Sequence, residues 1–118
     1  MSKFESQVVI KPWGKEEIIE KNSSYVVKRL TMKAGHRCSL QYHELKRETI
    51  YVLTGVLKIS TGSHVDQMTE SIYHQNSFVT IEPFTLHRME GIEEAVYLEA
   101  STTELADVVR LEDDYQRR

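Results

Sequence analysis

The sequence lacks the features of secreted, membrane and nucleic-acid-binding proteins. Cys38 is the single cysteine among 118 residues, so no disulfide can form within the chain. No apolar run approaches membrane length, and the start Met-Ser-Lys-Phe-Glu-Ser lacks the apolar core of a signal peptide. The formal net charge is -3, and no block of Lys and Arg precedes the terminal Arg117 and Arg118. We therefore expect a cytoplasmic protein without nucleic acid or membrane partners.

Proline and glycine are also scarce, with two and five residues, and they stand at breaks between short β-type segments. Turn signals recur roughly every ten residues, which is typical of an all-β sandwich or barrel. A helix cap at Thr103–Asp107 begins a segment too short to change this class. The sequence thus predicts one domain over residues 1–118, a small antiparallel β-barrel, closed or nearly closed to hide its strand edges. The predicted core includes Ile50, Val52, Phe78 and Val79.

The segment from Gln41 to Gly55 combines metal-ligand side chains with a strand-forming run. In an extended chain Gln41 and His43 point to the same face, and Glu48 returns to it after the polar turn Glu44–Arg47. The β-branched and aromatic residues that follow predict a buried strand ending at the glycine. These groups could bind a metal, or they could satisfy one another as buried polar residues without an ion.

Two sets of motifs resemble a known superfamily, the cupins, and within it the cupin domain of type II mannose-6-phosphate isomerases. The general cupin motif is carried by Gly35, Gln41-x-His43, Glu48, Gly55, Asn76, Pro83 and His87. The narrower resemblance is carried by Lys11–Gly14, Val27–Leu30, Ser39–Gln41 and Asp107–Tyr115. It covers roughly residues 8 to 117, and several linked motifs in order are more specific than one histidine pair. The resemblance implies a jelly-roll cupin barrel.

The resemblance also implies one divalent metal ion held by Gln41, His43, Glu48 and His87. The second histidine usual in the family is Leu45 here, and the four-residue set instead resembles the zinc site of type I phosphomannose isomerases. Two imidazole nitrogens and two oxygens suit Zn²⁺ first, and also Mn²⁺, Fe²⁺, Co²⁺ or Ni²⁺. The other histidines lack a partner set, and we expect them at the surface: His36, His64 and His74.

The implied chemistry is the aldose–ketose isomerisation of a phosphosugar. A divalent ion would polarise the open-chain carbonyl while a nearby base moves a proton between two carbons. Glu48 and Lys46 are the candidate catalytic residues, with Glu44 as a substitute.

Three arginines are candidates to bind the substrate phosphate, because a planar guanidinium matches a phosphate dianion. Arg29 and Arg110 lie in stretches that resemble the sugar-phosphate branch. Arg88 is a weaker candidate, since strand alternation places it on the face opposite His87.

Two other functions are compatible with the sequence. One is a non-catalytic module that binds a sugar phosphate or sugar nucleotide, which the leucine in place of a histidine favours. The other is a ketoisomerase or epimerase acting on a nucleotide-linked sugar. The expected partners are a small-molecule phosphosugar, a second copy of the chain paired through an exposed sheet edge, and a separate nucleotidyltransferase.

Overall fold

A computed structural model describes residues 7–117, which form two antiparallel sheets that face each other. In spatial order the first sheet contains β1 (Gln7–Lys11), β2 (Gly14–Lys21), β3 (Val26–Met32), β10 (Ala95–Ser101), β5 (Glu48–Thr54) and β8 (Phe78–Ile81). The second contains β11 (Val109–Glu112), β4 (Leu40–Tyr42), β9 (Leu86–Gly91), β6 (Leu57–Gly62) and β7 (Met68–Tyr73).

The predicted all-β jelly roll is confirmed, and of the two expected forms, closed or nearly closed, the closed barrel is not the one observed. The strands at the edges of the two sheets do not pair with one another, so the fold is a two-layered jelly roll. The segment Thr103–Asp107 forms bends and turns instead of a helix. Within residues 7–117 no helix is long and apolar enough to cross a membrane.

The core lies between the sheets and follows the period-2 alternation of the strands. On β5 the burial alternates, so that Ile50 and Val52 are fully buried while Tyr51 faces outward. Leu57 and Ile59 of β6 meet them from the second sheet. Each such side chain stabilises the fold by about 1.5–3 kcal/mol when removed from water. This core holds both sheets at a fixed spacing beside the polar groups described below.

Phe78 was predicted to lie in the core, and this prediction is wrong because the side chain is 68% exposed. Neighbouring residues on a strand face opposite sides, so Phe78 and Val79 cannot both point inward. Val79 packs against the core, whereas Phe78 lies opposite Tyr51 on the outer face. The two rings are parallel within 3°, with centroids 6.3 Å apart.

Gly55 carries the chain from β5 in the first sheet to β6 in the second. Its φ of 81° lies in the left-handed region that glycine adopts without strain. A Cβ atom at this position would lie 1.9 Å from the carbonyl oxygen of Glu94. The turn predicted at Gly55 therefore requires glycine for two independent reasons.

Candidate metal centre and its cavity

Three of the four predicted ligands converge at one buried point between the sheets. Glu48 begins β5, His87 lies in β9, and His43 follows β4 by one residue. The Nε2 atoms of His43 and His87 lie 3.0 and 3.2 Å from the same carboxylate oxygen, Oε1 of Glu48. One donor atom from each residue lies within 4.8 Å of the others, and all three side chains are buried.

In each imidazole the Nδ1 atom, which faces away from Glu48, holds the ring in its orientation through a hydrogen bond. Nδ1 of His43 lies 2.5 Å from the carbonyl oxygen of Asp107, and Nδ1 of His87 lies 2.9 Å from that of Thr85. A carbonyl oxygen only accepts, so each Nδ1 carries the hydrogen, and in the neutral rings each Nε2 presents a lone pair. Backbone partners of this kind orient metal-binding histidines in proteins.

The lone pairs of the two Nε2 atoms therefore point at a carboxylate oxygen that also offers lone pairs. Burial acts to raise the pKa of Glu48, but a hydrogen on Nε2 of His43 or His87 acts against burial and takes that pKa well below its ordinary value. In neutral rings that carry their hydrogen on Nδ1 this donor is absent, and the lone pairs stay opposed. Among the described residues Nε2 of His87 has no hydrogen bond of acceptable geometry, despite its 3.2 Å approach. A cation among the three donors would remove this conflict.

The separations also fit a small divalent ion. Donors about 2.1 Å from a common ion, at right to tetrahedral angles, are about 3.0–3.4 Å apart. The two nitrogen–oxygen distances of 3.0 and 3.2 Å fall in that range. His43, Glu48 and His87 could thus hold a metal ion, although their chemistry does not select one metal.

Gln41, the fourth predicted ligand, is on the same face. It lies directly opposite His87 in the pairing of β4 with β9, so the two side chains point the same way. Its Oε1 accepts a hydrogen bond of 2.5 Å from the Ser39 hydroxyl. Leu45, which replaces the family's second histidine, is 69% exposed, because β4 ends at Tyr42 and strand alternation stops there.

Asp107 was not predicted as a site residue, yet it holds the loop beside the three donors. Its carboxylate accepts hydrogen bonds from the backbone N–H groups of Glu44, Leu45 and Lys46, at 3.1, 2.7 and 2.9 Å. The bonds from Leu45 and Glu44 are the main reason that the pKa of Asp107 is lowered. Because its own carbonyl binds His43, this one residue ties the loop and the ring together.

A cavity of about 230 Å³ lies between the sheets and adjoins the donor group, but His43, Glu48 and His87 do not themselves line it. Gln41, Lys46 and Glu99 line it at the end near the donors, where Nζ of Lys46 is 3.9 Å from Oε2 of Glu48. Five cationic side chains contribute to its wall: Lys11, Lys28, Lys46, Arg110 and Arg117. Among residues 7–117 the lining contains two acidic side chains, Glu16 and Glu99. The cavity therefore carries an excess of positive charge in an acidic protein.

Each acidic group of this wall forms an ion pair with a lysine. Lys28 pairs with Glu16 at 3.0 Å, and Lys46 pairs with Glu99 at 3.2 Å. Burial, together with the nearby charge of Glu48, raises the pKa of Glu99 to about 8. Burial would lower the pKa of Lys46, but the carboxylates of Glu99 and Glu48 raise it above its ordinary value. Lys46 therefore remains charged beside the candidate metal ligands.

Of the two main phosphate candidates, the structure brings Arg110 to the cavity and leaves Arg29 outside it. Arg29 lies on the outer face of β3, where it donates two hydrogen bonds of 3.0 Å to Glu17. Its neighbour Lys28 faces inward. A role for Arg29 in substrate binding remains a prediction that this position does not support, and Lys28 takes the equivalent place in the cavity.

Arg88 is buried on the face of β9 away from His87, as alternation predicts. Its Nε donates a hydrogen bond of 2.8 Å to the carbonyl oxygen of Cys38, and its other nitrogens lie near Glu112 and Asp114. These contacts hold the C-terminal segment against the second sheet, outside the cavity. His64 and His74 are exposed and His36 is partly exposed, and none of them joins the donor group.

Three residues that sequence reasoning did not identify line the cavity, and all three do so for the same reason. Glu99, Lys28 and Tyr97 enter the cavity because β10 pairs with β3 and β5 in a particular register. Only that pairing places Glu99 beside Lys28. The one available signal was the alternation Tyr97, Glu99, Ser101 along β10, which identifies an inward face but not its neighbours.

The two-layered jelly roll and its buried donors from two histidines and one glutamate define a cupin. Solved structures support the fold. CapF from Staphylococcus aureus, a capsular polysaccharide assembling protein, superposes with a TM-score of 0.80 at 18% identity, over 92% of this chain and 34% of that one. Oxalate decarboxylase from Bacillus subtilis gives 0.80 at 12% identity, over 94% of this chain and 31% of that one.

More narrowly, the chain belongs to the family described as mannose-6-phosphate isomerase C-terminal, which matches residues 2–113. Mannose-1-phosphate guanylyltransferase RfbM of Salmonella typhimurium is 31% identical over 85 residues, covering 72% of this chain and 17% of that protein. Xanthan biosynthesis protein XanB of Xanthomonas campestris pv. campestris is 30% identical over 114 residues, covering 92% and 23%. The chain thus spans about a fifth of the length of these curated relatives.

Proposed function

We propose that the protein is a metal-dependent aldose–ketose isomerase acting on a phosphosugar, of the mannose-6-phosphate isomerase kind. The observation that carries this proposal is that the three converging donors adjoin, through Gln41 and Lys46, a cavity with five cationic side chains. Such a site can bind both ends of a sugar phosphate, the carbonyl end at the donors and the phosphate at the cations. Membership of the family supports the same substrate class.

His43, Glu48 and His87 would hold the ion, with Gln41 as a further oxygen donor from the same face. An ion held there supplies an electrophile for a sugar oxygen. Zn²⁺ is our first choice for two imidazoles with oxygen donors, and Mn²⁺, Fe²⁺, Co²⁺ or Ni²⁺ are alternatives.

Glu99 is the best placed group to move the proton between the two carbons. It lines the cavity, stands outside the donor set, and pairs with Lys46. Glu48, the base first suggested by the sequence, is engaged by both histidines, which makes it a poor base. Lys46 keeps its proposed catalytic place because its ammonium group lies between the two carboxylates and can stabilise negative charge. Glu44 is exposed and has no such position.

We further propose a separate nucleotidyltransferase as a partner, because the chain matches about a fifth of proteins named mannose-1-phosphate guanylyltransferase. A homodimer through a sheet edge is the second proposed assembly, since within residues 7–117 β1 pairs on one side only, with β2, and exposes Val8 and Ile10. A cytoplasmic location remains part of this proposal.

The test pairs elemental analysis of protein purified without a polyhistidine tag with an assay of mannose 6-phosphate turnover. We expect one divalent ion per chain and isomerisation to the ketose phosphate. His43→Ala should lose most of the metal and the turnover, because the site has few ligands to spare. His74→Ala is the matched control, since His74 is exposed and lies outside the donor group.

A non-catalytic binding module is the second candidate function. The exposed position of Leu45 favours it, because within residues 7–117 no third imidazole reaches the donors. Protein that binds mannose 6-phosphate but neither retains metal nor turns the sugar over would establish the module and refute the isomerase. Turnover of a nucleotide-linked sugar in place of mannose 6-phosphate would instead indicate the ketoisomerase or epimerase alternative.

A further inference from the structure

The loop between β4 and β5 joins two of the candidate metal ligands. His43 stands at its start, and Glu48 follows it as the first residue of β5. The loop also carries Lys46, whose ammonium nitrogen lies 3.2 Å from Glu99 and 3.9 Å from Glu48. The conformation of this loop therefore fixes how the imidazole and the carboxylate face each other, and it places a buried cation beside them.

The backbone of this loop takes its hydrogen-bond partners from a distant part of the chain. All four N–H groups of residues 44–47 donate to side chains of the segment 102–107. Three of them donate to the Asp107 carboxylate, and the fourth donates to the Thr102 hydroxyl at 3.0 Å. The Thr102 N–H returns a hydrogen bond of 3.0 Å to the carbonyl oxygen of Arg47. Asp107 thus supplies most of the contacts that shape the loop.

The main chain and the side chain of Asp107 act on neighbouring parts of the site. Its carbonyl oxygen accepts the hydrogen bond from Nδ1 of His43, and its carboxylate holds the three residues that follow His43. Hydrogen bonds to an ionised acceptor are stronger than those between neutral groups. A substitution of the side chain removes the carboxylate and leaves the carbonyl group, so the two contributions can be separated.

We propose that Asp107 is a positioning residue for the metal centre, a role that rests on the function proposed above. Its carboxylate holds the loop in the conformation that keeps Nε2 of His43 3.0 Å from Oε1 of Glu48 and keeps Lys46 beside Glu99. Asp107 is not one of the three converging donors, so it acts through His43 and Lys46. Groups that orient metal ligands in this way typically change metal affinity by about ten- to a hundredfold.

Calorimetric titrations with Zn²⁺ alone and with Mn²⁺ alone test this role in the full chain. We expect the wild type to bind one ion and Asp107→Ala to bind it about ten- to a hundredfold more weakly. In Asp107→Asn the amide oxygen still accepts hydrogen bonds, whereas the amide nitrogen cannot. The affinity of Asp107→Asn should therefore lie between those of the other two proteins, and this variant decides the question if Asp107→Ala does not fold.

Asn22→Ala is the matched control for a general loss of stability. The Asn22 side-chain oxygen also accepts two backbone N–H groups, those of Ser24 and Tyr25 at 2.8 and 2.9 Å, in the turn between β2 and β3. This turn lies outside the donor group and the cavity lining. Asn22→Ala should lower the unfolding midpoint of the metal-free protein, as Asp107→Ala does, but it should leave the metal affinity unchanged.

The possible results separate this inference from the isomerase itself. Wild-type metal affinity in both Asp107 variants, or an equal fall in Asn22→Ala, would overturn the inference and leave the isomerase standing. A wild type that binds neither ion would overturn both. A fall confined to the Asp107 variants, in a protein that does not turn over mannose 6-phosphate, would support the inference and refute the isomerase.

Discussion

Replacing Glu48 with glutamine separates a metal centre from a purely structural cluster. The substitution keeps the size of the side chain and removes its charge. In the wild type both Nε2 lone pairs point at Oε1, at 3.0 and 3.2 Å. A glutamine amide nitrogen in that place has two N–H groups, one for each imidazole. We therefore expect the metal-free variant to be at least as stable as the metal-free wild type.

The metal-loaded proteins should differ in the opposite direction. An ion at a hundred times its dissociation constant stabilises a folded protein by about 2.7 kcal/mol. For a chain of this size that corresponds to a rise in Tm of roughly 10 °C. In Glu48→Gln the charged donor is missing, so this increase should largely disappear.

Thermal unfolding with and without excess Zn²⁺ or Mn²⁺ measures both effects. Glu70→Gln is the control, because the Glu70 side chain is 62% exposed on β7 and should leave both temperatures unchanged. A structural cluster of protonated histidines around a carboxylate predicts another result. Removal of its buried charge would destabilise the metal-free protein by about 3–5 kcal/mol. That loss, without a metal-dependent rise in the wild type, would refute the metal centre.

Three further predictions follow from neighbouring parts of the structure. Lys28→Met should weaken mannose 6-phosphate binding about tenfold in calorimetry, as expected for the loss of one charge-assisted hydrogen bond. Arg29→Met should leave this affinity unchanged, since the two side chains lie on opposite faces of β3; equal losses would contradict this assignment. Asp107→Ala should lower the free energy of unfolding most above pH 3.8, the ordinary pKa of this carboxyl group, because the pKa of Asp107 is lower in the folded protein. The difference in free energy of unfolding between the wild type and this variant should shrink as pH falls through the folded pKa of Asp107. Urea titrations in which the difference grew on acidification would show that the charged carboxylate is not its cause. Gly55→Ala should destabilise the protein by more than about 1 kcal/mol, because it needs both a positive φ and a displaced Glu94 carbonyl. An unchanged urea midpoint would show that the turn can relax.

The strand pattern was largely predictable because alternation is local. The inward positions Ile50 and Val52 follow from residues two apart on one strand, and the structure confirms both. At Phe78 the predicted core position is wrong, because Val79 takes the inward face and an edge strand can present a large aromatic side chain to solvent. Alternation also fails at Leu45, because the strand has already ended at Tyr42.

The sequence by itself determined the all-β class, the cupin family and the candidate ligands His43, Glu48 and His87. Strand alternation and turn spacing indicate the class, and the order of the motifs along the chain indicates the family and the ligands. Only the tertiary structure decided which other groups join them. The pairing of β10 with β3 and β5 places Glu99 and Tyr97 in the cavity, and it turns Lys28 inward and Arg29 outward. Such contacts join residues far apart in sequence. They depend on strand order and register, where a shift of one residue would exchange the two faces.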